Sequence, residues 1–98
     1  MNLPLDFNAA TRIEVNDAFD WYERRRRGLG TSFLNAVEKV LTKISVNPHE
    51  FGFAKGDIRE GLLKRYPFAI YYRVLADRIR ILSIHHTSRD PAEWEDRT

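Results

Sequence analysis

The sequence predicts an α+β fold: a short N-terminal strand, a helical hairpin packed on a mainly antiparallel sheet, and a short C-terminal tail. Three observations predict it. Two stretches of helical apolar period lie either side of Gly28-Leu29-Gly30. Two adjacent runs, residues 68–75 and 78–86, are rich in Ile, Val and Tyr and read as strands folded back on each other. Leu3, Leu5 and Phe7 alternate with Pro4 and Asp6, which marks a short strand at an edge or strand start. The 98 residues read as one domain spanning 1–98, without repeats or low-complexity tracts.

Each element has a local reason. Asn8 caps the first helix by accepting a free N–H of the first turn. Val15, Ala18, Phe19 and Tyr22 form its core stripe, and Trp21 falls at the margin. Glu14 and Asp17 lie toward its start and the arginines 24–27 at its end, which suits the helix dipole. The glycines turn the chain, and Thr31 or Ser32 is placed to cap the second helix. Phe33, Val37, Val40, Leu41 and Ile44 form its stripe, and Asn47-Pro48 ends it. Residues 49–57 read as loop, and 58–63 as a strand that Gly61 weakens. In the tail, Asp90 and Pro91 are placed to start one helical turn.

The hairpin over residues 64–86 decides which side chains share a face. A turn centred on Ala76-Asp77 pairs Val74 with Ile79, Tyr72 with Ile81 and Ile70 with Ser83. Phe68, Ile70, Tyr72, Val74, Ile79 and Ile81 then face the helices. Tyr71, Arg73, Arg80, Leu82, Ile84 and His86 share the other side. That register sets Arg73 opposite Arg80, and like charges directly across a sheet are destabilising. Either both arginines lean on carboxylates such as Glu60, or an apolar strip flanked by arginines forms a binding face for an acidic, partly apolar partner. His85 falls on the helix side in this register.

Composition excludes several classes. A hydrophobic fraction of 43% supports a globular chain. With no cysteine, disulfides and thiolate metal sites are excluded. No apolar run approaches the roughly 20 residues of a membrane helix, so a cytoplasmic protein without membrane contact is expected. Three histidines at 49, 85 and 86 give no zinc spacing, and no phosphate loop or nucleophile elbow appears, so neither cofactor nor metal is expected. Net charge is +2, but residues 1–23 carry five acids against Arg12 alone, a balance of −4 that leaves +6 for the rest. That asymmetry is either ordinary surface charge or the mark of an anionic partner on one side.

Trp21-Tyr22-Glu23 followed by Gly28-Leu29-Gly30 and Phe33 resembles the helical hairpin of the RelE/ParE toxin superfamily. Ile58-Arg59 and the run Tyr66-Pro67-Phe68-Ala69-Ile70-Tyr71-Tyr72 resemble its central strands. His86-Thr87-Ser88-Arg89-Asp90-Pro91, with Trp94 and Arg97, resembles the tail of its plasmid-stabilisation members. The order and spacing of these motifs cover nearly the whole chain. The resemblance implies the toxin of a type II toxin–antitoxin pair, held inactive by an antitoxin, often acidic, whose disordered segment folds over it.

Within that superfamily RelE-like members cleave messenger RNA on the ribosome, and ParE-like members poison DNA gyrase. Cleavage through a 2′-hydroxyl needs a base, an acid and cations at the phosphate. The resemblance sets Ala69, Glu60 and Leu62 where RelE carries sheet cations, and Trp94 where it carries a tail tyrosine. Only Arg89 keeps the expected type. These departures favour the ParE branch. The resemblance leaves a ribonuclease alternative in which His86 is base or acid and Arg80 and Arg89 meet the phosphate. A third reading is a non-toxic binding module of the same fold. Tyr71, Arg73, Arg80, Leu82 and His86 are the expected antitoxin contacts.

Overall fold

The computed structural model describes residues 2–89 and 97. Its five-stranded sheet runs in the order β1-β5-β4-β3-β2, with β1 Leu5–Phe7, β2 Phe53–Lys55, β3 Ile58–Leu62, β4 Phe68–Val74 and β5 Ile79–His86. β1 lies parallel to β5 and every other pairing is antiparallel. Helices α1 (Ala9–Arg25) and α2 (Leu29–Val46) belong to the larger core. That core joins Ala18, Phe33, Val37, Val40 and Ile44 of the helices to Ile70, Tyr72, Ile79, Ile81 and Ile84 of the sheet. The α+β architecture is therefore the one the apolar periods predict.

Local chemistry explains the joints. Asn8 caps α1 by accepting from the Thr11 N–H at 2.8 Å. The hairpin turn differs from expectation. α2 starts at Leu29, and neither Thr31 nor Ser32 caps it. Glu23 of α1 does that work, accepting from the N–H of Gly28 at 3.0 Å and of Gly30 at 2.9 Å. A carboxylate at a helix start also meets the positive end of the dipole. The two N–H donors and Arg27 hold the Glu23 carboxyl below its ordinary range. Gly28 adopts φ 90, which a residue with a side chain resists.

Residues 49–57 are more ordered than a loop. A 3₁₀ turn at Pro48–Glu50 leads to edge strand β2, which pairs with β3. Gly61 weakens no strand, because it is where α2 packs on the sheet. A Cβ built there would lie 2.8 Å from Val40 Cγ1.

The hairpin register holds at the turn and fails further along. Val74 pairs with Ile79, Arg73 with Arg80 and Tyr72 with Ile81, but Tyr71 then pairs with Ser83. Leu82 is the extra residue of a β-bulge. Beyond it every side chain is reassigned. Ile70 pairs with Ile84 rather than Ser83, and Ile84 joins the helix-side core. His86 pairs with Phe68 on that same side, whereas His85 pairs with Ala69 on the other. The cause lies outside the strand. β1 ends at Phe7, so α1 begins beside the outer half of β5. The Leu82 carbonyl there accepts from Asn8 Nδ2 at 2.9 Å, Thr11 Oγ1 at 3.1 Å and Arg97 Nη1 at 3.1 Å.

Candidate functional site

The side of the sheet away from the main core does not present the open strip that the sequence suggests. Ile58, Ala69, Tyr71 and Leu82 form a second buried cluster, with Leu82 at 0% exposure and Tyr71 at 9%. Burial, with Glu60 beside it, pushes the Tyr71 phenol above its ordinary value. Arg73 and Arg80 do sit opposite each other, but each has its own acid. Arg73 Nε meets Asp57 at 2.9 Å and Arg80 Nη1 meets Asp6 at 2.8 Å. Glu60 pairs with Tyr71 across the strands and Leu62 with Ala69. The three positions that resemble RelE's cation sites thus hold a carboxylate and two apolar groups on this one side.

His86 belongs elsewhere. The bulge turns it toward α1, where its ring lies edge-on to Phe68 at 5.3 Å. It lines a groove of about 1010 Å³ between α1, the turn joining β3 to β4, and the end of β5. The floor is aromatic. Tyr22 stacks on Phe33 at 5.2 Å and meets Tyr66 edge-on at 5.0 Å, and Phe33 meets Phe68 at 5.0 Å. The Tyr66 hydroxyl donates to Ser32 Oγ at 2.8 Å, tying the β3–β4 turn to α2. Burial and the neighbouring Tyr66 raise the Tyr22 phenol, so it stays neutral at physiological pH. The rim is basic, with Arg24, Arg26, Arg65 and Arg89, against Glu14 and Asp17. Trp21, 47% exposed, stands at its edge beneath the Arg25 guanidinium, 4.2 Å away.

The chemistry of His86 is constrained by Ser88. Its Nδ1 accepts from the Ser88 backbone N–H at 3.1 Å. A neutral ring with its lone pair so engaged carries its proton on Nε2 and presents a donor there. This geometry suits hydrogen bonding to an acceptor better than abstracting a proton. His86 and Arg89 line the same groove, whereas Arg80 lies across the sheet with Asp6. The trio His86, Arg80 and Arg89 is not assembled in one place. Asp90, Pro91 and Trp94 lie outside the described residues.

A Ser-His-Glu cluster forms at the edge of β5. Glu14 accepts from Ser83 Oγ at 3.0 Å and from the Ile84 N–H at 3.3 Å, and its other oxygen meets His85 Nδ1 at 2.9 Å and Arg97 Nη1 at 3.0 Å. It is no nucleophilic triad. Ser83 and Glu14 contact the same imidazole nitrogen, and Ser83 is 0% exposed. Glu14 instead ties α1, β5 and Arg97 together. Among the described residues no group of three or more His, Asp or Glu is placed to hold a metal. No described helix is long and apolar enough to cross a membrane.

Comparison with solved structures decides the fold type. The chain is similar to one from the "Chromosomal ParDE TA system from P. aeruginosa", with a TM-score of 0.76 and 16% identity over 86% of this chain and 95% of that one. The chain has a ParE-like, RelE/ParE fold. Neither a protein-family model nor a curated protein matches its sequence. At 16% identity the likeness is one of fold. The bulge at Leu82 and the aromatic groove were not legible in the sequence. Arg24 and Arg26 read as a solvated helix end, and Arg65 carried no signal beyond its charge.

Proposed function

We propose that this protein is the toxin of a type II toxin–antitoxin pair, acts in the cytoplasm on DNA gyrase, and is silenced by a cognate acidic antitoxin. The observation that carries the toxin–antitoxin reading is the likeness of fold to a chain of the ParDE TA system. Fold does not fix function, so the choice of target rests on the site. Glu60, Leu62 and Ala69 offer no cation to a scissile phosphate, Arg80 is held by Asp6, and His86 presents a donor rather than a base. These features support a protein that acts by binding rather than by cutting RNA.

The expected antitoxin contacts divide between two surfaces. Tyr71 and Leu82 are buried, and Arg73 and Arg80 are already paired with acids. His86 opens on the basic groove. The antitoxin is therefore proposed to engage the groove side, with Arg73 and Arg80 contributing little. The test is induction of the chain alone in a bacterial host. Growth arrest, with purified protein blocking gyrase supercoiling and messenger RNA left intact, is the expected result. Normal growth would remove the toxin reading. Ribosome-dependent messenger cleavage abolished by His86→Ala or Arg89→Ala in a folded variant would replace gyrase with RNA.

A further inference from the structure

The outer face of α1 carries a charge order that the fold itself does not use. Its exposed positions step by three and four along the helix. Ile13, Asp17, Trp21 and Arg25 form one row, with Asp20 and Arg24 in a second row beside it. Ile13 and Trp21 are 60% and 47% exposed. Asp17, Asp20 and Arg24 have no ion-pair partner among the described residues. Trp21 is held from two sides, with the Arg25 guanidinium over its ring at 4.2 Å and Tyr22 edge-on at 5.0 Å. A half-exposed indole fixed in one orientation has already lost the rotamer freedom that binding would otherwise cost.

We infer that this face is an interface between two copies of the chain, their α1 helices packed antiparallel about a two-fold axis at Trp21. A two-fold interface sets residue i against j and j against i. With the axis at Trp21, the residue four before it meets the residue four after it on the other helix. Asp17 then faces Arg25 of the partner subunit, and Asp20 lies beside Arg24 of the partner subunit, each contact made twice. The two Trp21 rings meet at the centre. Both acids precede the indole and both arginines follow it, so every facing pair is opposite in sign. Asp17 to Arg25 spans about 12 Å of helix, a length over which helices crossing at roughly 20° stay in contact. An acidic peptide or a nucleic-acid strand laid along the same row would set negative groups against Asp17 and Asp20. A second copy supplies each acid with a base. One helix face a side belongs to the small, transient class of interface below roughly 1,200 Å², so the dimer is weak. Asp17, Trp21 and Arg24 also line the groove, so the second copy stands along that wall.

Sedimentation equilibrium of the nuclease-treated full chain tests it. At low salt, from about 5 to 500 µM, the mass is expected to pass from monomer to dimer, and less so in about 1 M salt. Asp17→Lys and Arg25→Glu each set like charges across both contacts and should raise the dimer Kd about tenfold or more. Mixed in equal parts, the two variants should associate as the parent does, because each then offers the charges the other lacks. A purely structural role for these surface residues would not give that rescue. Trp21→Ala should abolish association, and because the charge variants leave the indole in place, the test survives any loss of fold in Trp21→Ala. No dimer in the parent at about 500 µM, dimerisation unchanged in either charge variant, or a mixture that stays monomeric would overturn the proposal. So would association that nuclease removes, or amide shifts on dilution confined to edge strand β2. A monomeric chain that arrests growth on induction would sink the dimer and leave the toxin reading. A dimer without growth arrest would do the reverse.

Discussion

Replacing Glu14 tests how the end of β5, which carries His86 to the groove, is held. Its carboxylate serves Ser83 Oγ, the Ile84 N–H, His85 Nδ1 and Arg97 Nη1. Ser83 and His85 are 0% and 4% exposed, so water does not replace the lost acceptor. Each stranded donor costs about 1–3 kcal/mol. Some of that returns. Ser83 Oγ already lies 2.9 Å from His85 Nδ1, so a change of tautomer lets those two pair, and Arg97 keeps its bond to the Leu82 carbonyl. The net expectation for Glu14→Ala is about 2–4 kcal/mol. For a domain of this size that is a Tm lower by roughly 10–25 °C. Glu14→Gln keeps one acceptor and turns an NH₂ toward existing donors, so about half the loss is expected. Circular dichroism with urea titration reads both variants, and an unchanged m-value would confirm that only stability moved. Ser83→Ala combined with Glu14→Ala should cost less than the two apart, because they share a partner. A Glu14→Ala protein melting within about 2 °C of the parent would refute the idea that this cluster anchors β5 to α1.

Glu23→Gln should flatten the acid limb of the stability profile. The folded carboxyl lies below its ordinary value of 4.5 because it accepts two backbone N–H groups. Its contribution is therefore present above that value and lost as pH falls through the lower folded one, and thermal melts from pH 6 to 3 check the sign. Tyr72→Phe should cost about 1–2 kcal/mol, because the buried phenol donates to the Pro48 carbonyl at 2.6 Å and that acceptor would be stranded. The same buried phenol is pushed up to about 12, so the fold favours its protonated form. Stability should then fall as pH rises from 10 toward 12 in the parent, and less in Tyr72→Phe. Arg73→Gln with Arg80→Gln removes two partly exposed ion pairs along with a like-charge contact. Stability should move by less than about 1 kcal/mol, read by urea denaturation.

What the sequence disclosed and what it hid follow from where the causes lie. The Asn8 cap, the helical stripes apart from Phe19, whose ring lies beside Gly30 and outside the core, and the turn at Ala76-Asp77 are set by neighbouring residues and stand as read. The start of α2 was misplaced because its cap comes from Glu23, on the preceding helix. The bulge was invisible because the Ile-rich run of β5 carries no Gly or Pro to mark an interruption. The carbonyl it frees is taken by Asn8 and Thr11, more than seventy positions away. One inserted residue exchanged the faces of His85 and His86, and so moved His86, an expected site residue in both functional readings, into the groove. The charge asymmetry was legible, but its location was not. Arg24 and Arg26 from a helix end and Arg65 from the β3–β4 turn are brought to one groove.

On the proposed function, this protein arrests growth and an acidic partner relieves the arrest through the groove. It is tested most directly by inducing the chain with and without the protein of its adjoining reading frame, in parent and in Arg24→Gln/Arg26→Gln/Arg65→Gly backgrounds. Arrest by the parent, relief by the partner, and loss of relief in the triple variant while arrest persists are the expected results. Uninhibited growth of cells that accumulate folded parent protein would contradict it.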